Sequence, residues 1–164
     1  CGSYGDGIAV DYQAGMEALL TTILPFSLTE VNEVWCYPGI LAGFACGSFH
    51  KAILDEEMIR YSNRMLQGVE MTIDPRLPEL LAAGQETRNF LSIGSMDTYR
   101  RNNYLTRIFD KRGIAQRGNA EKNDLTFKVQ QALESRIAAY QLPERSAEQK
   151  KLLQPYLPSQ CQYR

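Results

Sequence analysis

Strand-forming sequence is scarce in this chain, and that scarcity narrows the folds open to it. Residues 31–36, Val-Asn-Glu-Val-Trp-Cys, read as a short strand, closed by the turn chemistry of Tyr37-Pro38-Gly39. Residues 90–93 read as a short strand or an extended loop, and residues 69–73 as an extended link. The remaining patterned segments repeat at helical spacing. Asp11 is placed to cap a helix whose apolar face is Met16, Leu19, Leu20, Ile23 and Leu24, and Pro25 disfavours its continuation. A second helix is expected over 51–66, with Leu54, Met58, Tyr61 and Met65 on one stripe and Gly68 just beyond its end. Between these lies 41–49, small and apolar, which reads as buried and closely packed.

The second half is more polar. Asp74-Pro75 supplies a cap and a first-turn proline for a helix stopping at Gly84. Residues 98–109 are expected to be helical, and 111–123 to form a loop. Asp124 opens a long helix with Val129, Leu133, Ile137 and Tyr140 in line, closed by Pro143. Ser146 with Gln149 forms a capping box for a last short helix. Strands this few do not close a sheet. The order fits the last units of an α/β fold, the C-terminal segments of a (β/α)8 TIM barrel, helix-rich and with a helical C-terminal extension. Residues 1–113 are assigned to the barrel part and 114–164 to the extension. The opening Cys1-Gly2-Ser3-Tyr4-Gly5-Asp6-Gly7 reads as an interior loop, so further residues are expected upstream.

Composition excludes several function classes. The net charge is −1, so the attraction to nucleic acid that dense Lys and Arg supply has no obvious source. The mildly basic set Arg100, Arg101, Arg107, Lys111, Arg112 and Arg117 reads as a solvated helix face. No apolar run approaches the roughly 18–20 residues of a membrane span. Cys1, Cys36, Cys46 and Cys161 lack CxxC spacing, and His50 is the sole histidine, so no metal site is expected. The cysteines read as mostly buried, reduced thiols of a cytoplasmic protein.

Three stretches resemble the trimethylamine methyltransferase family. Asp6, followed by Asp11-Tyr12-Gln13-Ala14-Gly15-Met16-Glu17, resembles its Asp-x-Gln-Ala-x-x-Glu helix start. Residues 31–41 are similar to its Asn-bearing strand and Gly-x-Leu loop, and the similarity continues through Leu54-Asp55-Glu56-Glu57-Met58 and Gly68-Val69-Glu70. Phe90-Leu91, Asp97-Thr98, Arg101 and Arg107-Ile108-Phe109-Asp110-Lys111-Arg112 are similar to its Phe-Leu, His-Thr, Arg and Leu-Phe-Asp-x-Arg run. Asp97 stands where that family has His, and the Asp6 loop lacks the family's Ser-Lys. The resemblance implies an enzyme moving a methyl group from trimethylamine, or from a quaternary amine such as glycine betaine, to Co(I) of a corrinoid. It implies no tightly bound cofactor, because the corrinoid is carried by a separate partner protein. A homo-oligomer is compatible with it. The alternatives are a non-catalytic helical interaction module and a barrel-derived binding protein.

A quaternary ammonium has no N–H, so proteins hold it on aromatic faces with a carboxylate nearby. Trp35 and Tyr37 lie at the C-terminal end of the expected strand, the end that faces a barrel's active site. Large aromatics also serve as core payload. Asp6 sits in a Gly-rich loop, as a ligand contact or as a turn cap. Glu33 is unusual in a barrel strand and faces a pocket or pairs with a buried Arg. Asp97 contacts substrate or caps a helix at Thr98. Arg101 binds a substrate carboxylate or is an exposed helix residue. His50 packs or caps. No residue is singled out as catalytic.

Overall fold

The computed structural model describes residues 1–28, 30–69, 73–90, 95–113, 116, 124–141, 144 and 147–156, the side chains of Ser95 and Asp97 excepted. These form two compact units, Cys1–Glu134 and Ser135–Arg164.

In the first unit, α1 (Tyr12–Leu28) starts as expected: Asp11 Oδ1 accepts from the Ala14 amide at 3.1 Å. It does not stop at Pro25, which lies inside the helix. Proline there removes a backbone donor and crowds the carbonyl one turn earlier, which weakens or bends a helix without having to end it, and the helix runs on to Leu28. The inward face also differs from the expected one. Ala14, Ala18 and Thr22 are buried, and α1 packs against α2 (Phe49–Leu66). Met16, Leu20 and Leu24 stay 38%, 43% and 42% exposed. Small residues four apart allow the closer approach; of the expected face, Leu19 and Ile23 are half-buried and the other three are left on the open side.

Ser48 caps α2, its side chain accepting from the Lys51 amide, and Gly68 takes the positive φ of 71° beyond its end. The expected stripe is not the buried one: Tyr61 and Met65 are exposed, whereas Lys51, Ile53, Asp55, Glu57 and Ser62 are buried. Burying polar groups is tolerable because they are paired. Lys51 Nζ lies 2.5 Å from Asp55 Oδ2, which also accepts from the Gly39 amide at 2.8 Å.

The expected strand over 31–36 reduces to one parallel bridge, Gly2 with Cys36. Gly2 donates to the Trp35 carbonyl at 2.6 Å and accepts from the Tyr37 amide at 3.1 Å. The hairpin lies instead in the segment read as buried. There β1 (Ile40–Leu41) pairs antiparallel with β2 (Cys46–Gly47), and of 41–47 only Leu41 is fully buried. The described residues are thus helix-rich with a two-stranded sheet, a partial α/β arrangement.

Helix α3 (Leu77–Thr87) begins later than expected, because Asp74 Oδ1 turns back to the Arg76 amide at 2.9 Å. It passes through Gly84, which is buried beneath the Phe90 ring, and Arg88 makes the left-handed cap at φ 51°. Helix α4 (Ser95–Asn102) ends seven residues short of the expected 109. The chain beyond it is captured by Glu57, as described below. Helix α5 (Leu125–Ala139) follows Asp124 as expected and buries Val129. Ile137 and Tyr140, in the second unit, are exposed. That unit also holds α6 (Ala147–Leu153) and a short turn, Gln154–Tyr156.

Cys1 and Cys46 are exposed and Cys36 is half-buried, so these thiols are free but not the buried ones expected. Glu70, Leu91, Pro143, Ser146 and Cys161, with most of the 90–93 segment and of the 111–123 loop, lie outside the described residues. Among the described residues no helix is long and apolar enough to cross a membrane.

Candidate functional site

The site starts from two loops that leave the same end of a parallel pairing. Gly2 and Cys36 run parallel with α1 between them. The segments that follow, 3–7 and 37–44, therefore emerge on one side.

Segment 3–7 is fastened along α1. The Ser3 amide donates to Thr22 Oγ1 at 2.9 Å and the Tyr4 amide to Thr21 Oγ1 at 3.1 Å. The Asp6 and Gly7 amides both donate to Glu17 Oε2, at 2.8 and 2.9 Å, and Gln13 Nε2 donates to Glu17 Oε1 at 2.8 Å. The Gln13 donor, then the Gly7 amide, hold the Glu17 carboxyl below its usual range.

The second loop contains a left-handed turn. Ala42, Gly43 and Phe44 have φ of 49°, 57° and 73°. Left-handed backbone costs a residue with a Cβ roughly 1–2 kcal/mol, so Ala42 and Phe44 are strained. The turn is held by the Ala42 amide on the Gly7 carbonyl at 3.0 Å and the Gly43 amide on the Gly5 carbonyl at 3.1 Å. Its effect is to set Phe44 between two tyrosines. The Tyr4 ring centroid is 5.2 Å away and tilted, and the Tyr37 centroid is 5.3 Å away and edge-on. Tyr4 Oη points to Asp6 Oδ1 at 3.5 Å. A Cβ at Gly43 would stand 3.3 Å from that carboxylate oxygen, so glycine keeps the space beside it free. A run of three packed aromatic rings with an exposed carboxylate at its Tyr4 end suits a cation that cannot donate hydrogen bonds. Strained backbone is often retained where function needs it.

Of the residues singled out from sequence, Asp6 and Tyr37 join one cluster, Asp6 through Tyr4 and Tyr37 through Phe44. Tyr4 and Phe44 complete the cluster and were missed. The available signal was a lone large aromatic in the small-residue segment 42–47, and a tyrosine two residues before Asp6. Trp35 and Glu33 pair with each other, the indole N–H donating to Glu33 Oε1 at 2.8 Å. Trp35 is 67% exposed among the described residues, and Glu33 is exposed beside it. Asp97 lies inside α4, whose first residue is Ser95, so it is not the cap of a helix starting at Thr98. Arg101 is exposed on α4 and lines a hollow with Arg64, Gln67, Gly68 and Asn102, none of which belongs to the aromatic cluster. His50 Nε2 meets Gln130 Oε1 at 2.6 Å, in line with packing.

A second polar centre is Glu57, fully buried on α2. It accepts from Tyr104 Oη at 2.9 Å, the Arg107 amide at 2.5 Å, the Ile108 amide at 3.3 Å and Thr106 Oγ1. Burial pushes its carboxyl upward, but these donors together outweigh burial and hold it below the usual range. Asp110 is forked by Arg112 through Nε and a terminal nitrogen at 3.0 and 2.8 Å, and that hydrogen bonding depresses it strongly. Both centres order the chain after α4.

Residues 1–161 match the family model for trimethylamine methyltransferase. The chain is similar to L-carnitine:corrinoid methyltransferase of Eubacterium limosum, 33% identical over 167 residues, covering 99% of this chain and 34% of that protein. It is also similar to proline betaine:corrinoid methyltransferase of the same organism, 34% identical over 157 residues, covering 93% of this chain and 32% of the relative. The chain thus spans about a third of the length of the curated relatives it matches.

Proposed function

The chain belongs to the trimethylamine methyltransferase family, and we propose that it forms part of an enzyme demethylating a quaternary amine. The methyl acceptor is the Co(I) corrinoid of a partner protein, a substrate of the reaction. The observation that carries this reading is the Tyr4, Phe44 and Tyr37 cluster beside Asp6.

The chemistry asks for such a site. When a quaternary amine gives up a methyl group, the C–N bond breaks and its electron pair stays on nitrogen. The product is a neutral tertiary amine, so no proton has to move. What the protein supplies is placement of the methyl group and shelter from water. The rings and the Asp6 carboxylate hold the cation; the clamped loops fix where it sits. The names of the relatives, for carnitine and proline betaine, support a substrate carrying both an ammonium and a carboxylate.

We place residues 1–113 in the last units of a (β/α)8 barrel, followed by a helical extension over 114–164. The parallel Gly2–Cys36 bridge with α1 as its crossover supports this, being the strand–helix–strand unit from which barrels are built. Loops following parallel strands form the active-site face of such barrels, and the cluster is made of two of them. Trp35 is kept as a substrate contact for its place at the end of the 31–36 segment, Glu33 as the acidic residue beside it, Arg101 as a partner for a substrate carboxylate, and Asp97 because it stands where the family has His.

The test compares charge with shape. In the complete protein, Phe44→Leu removes a ring but keeps an apolar side chain. By calorimetry it is expected to weaken glycine betaine by roughly two- to thirtyfold, from a cation–π loss of about 0.5–2 kcal/mol. The carbon isostere 3,3-dimethylbutanoate should lose much less. Equal losses would make Phe44 a packing residue and put the ammonium site elsewhere.

A further inference from the structure

We propose that Glu17 is the positioning residue of the ammonium site, setting the Asp6 carboxylate by holding the backbone beneath it. The inference rests on the site reading above. Glu17 does not belong to the aromatic cluster, yet one of its oxygens takes two successive amides, those of Asp6 and Gly7. Amides bonded to an ionised carboxylate make stronger hydrogen bonds than neutral pairs do. The other oxygen is fixed by Gln13, one helical turn earlier on α1. The carboxylate is therefore held from both sides and has little freedom to move the loop.

The loop is shaped to admit it. A Cβ at Gly5 would stand 2.4 Å from Glu17 Oε2 and 2.7 Å from Glu17 Cβ, so only glycine lets the side chain lie under this segment. The carbonyls of the same segment carry the brace onward. Gly5 and Gly7 accept the amides of Gly43 and Ala42, which hold the left-handed turn bearing Phe44. Gln13, Glu17, loop 5–7 and turn 42–44 form one continuous chain of hydrogen bonds from α1 to the ring cluster. The depressed carboxyl of Glu17 agrees with a group kept charged for this purpose. The family's Asp-x-Gln-Ala-x-x-Glu pattern thereby acquires a physical reading here: Asp11 caps α1, and Gln13 and Glu17 anchor the loop.

The test uses the complete protein, with glycine betaine and 3,3-dimethylbutanoate as paired probes. A merely structural residue lowers both affinities alike; a residue that places Asp6 lowers the cation's selectively. Glu17→Ala is expected to weaken the betaine about tenfold and the isostere by less than about threefold. Glu17→Gln keeps an acceptor oxygen and should return the betaine to within about threefold of the unmodified protein. Equal losses for the two probes, or none, would overturn the proposal. Asp6→Asn separates it from the reading it rests on. If Asp6→Asn leaves the preference for the betaine intact, the site reading fails and this inference with it. If Asp6→Asn lowers that preference and Glu17→Ala does not, the positioning role alone is wrong. Should Glu17→Ala not fold, Gln13→Ala answers the same question by withdrawing the donor that fixes Glu17. A smaller loss selective for the betaine supports the proposal, and an unchanged preference overturns it.

Discussion

Asp55→Ala is expected to cost about 3–5 kcal/mol of stability, the range for breaking a buried ion pair from one side. Asp55 and Lys51 are each 3% exposed, and the carboxylate is the ammonium's partner at 2.5 Å. The deletion strands a buried positive charge and also removes the acceptor for the Gly39 amide. Gly39 sits at φ 93°, where an added Cβ would stand 2.9 Å from the Ser48 carbonyl oxygen and 3.0 Å from the Ala52 Cβ, and its amide on Asp55 helps hold the turn leading into β1. The double variant Asp55→Leu with Lys51→Met should recover most of the loss, because no charge is left unpaired. Urea unfolding of the complete protein checks this through the midpoint at unchanged slope. If the single variant matched the double, the pair would not be buried as described.

Glu57→Ala should also be damaging, about 2–4 kcal/mol, because four part-buried donors lose one fully buried acceptor together. The side chain accepts the Arg107 and Ile108 amides and the Tyr104 and Thr106 hydroxyls. Glu57→Gln retains one oxygen for the amides and should cost clearly less. A pH dependence follows with a fixed sign. The folded carboxyl lies below its unfolded value, near 4.3 for a glutamate. Its contribution is complete above that value and disappears as pH falls through the lower folded one. Unfolding midpoints followed downward from pH 6 should therefore decline more in the unmodified protein than in Glu57→Gln. Parallel declines would show that Glu57 is not the group responsible.

These two centres also explain where sequence reasoning stopped. Local chemistry was legible: Asp11 as a cap, Gly68 after α2 and Asp124 before α5 all stand where their side chains or backbone freedom dictate. The inward face of α2 was not, because hydrophobic periodicity treats Lys51, Asp55 and Glu57 as outward. Their partners, Gly39 and residues 104–108, are distant in sequence. The same capture of 104–108 ends α4 early, against a helical pattern that extends further. In the site, Asp6 and Tyr37 were legible from loop and strand-end position. Phe44 was not, since neither alanine nor phenylalanine announces a left-handed turn. Gly43 permits that conformation, but the carbonyls of Gly5 and Gly7 that hold it are distant in sequence.

Turnover is the most direct measurement. The complete protein is mixed with its partner's corrinoid reduced to Co(I) and, separately, with trimethylamine, glycine betaine, carnitine or proline betaine. The account predicts that at least one quaternary amine consumes the Co(I) absorption and releases a matching amount of its demethylated tertiary amine. A corrinoid that stays Co(I) with every quaternary amine, and no demethylated product from any, would contradict it.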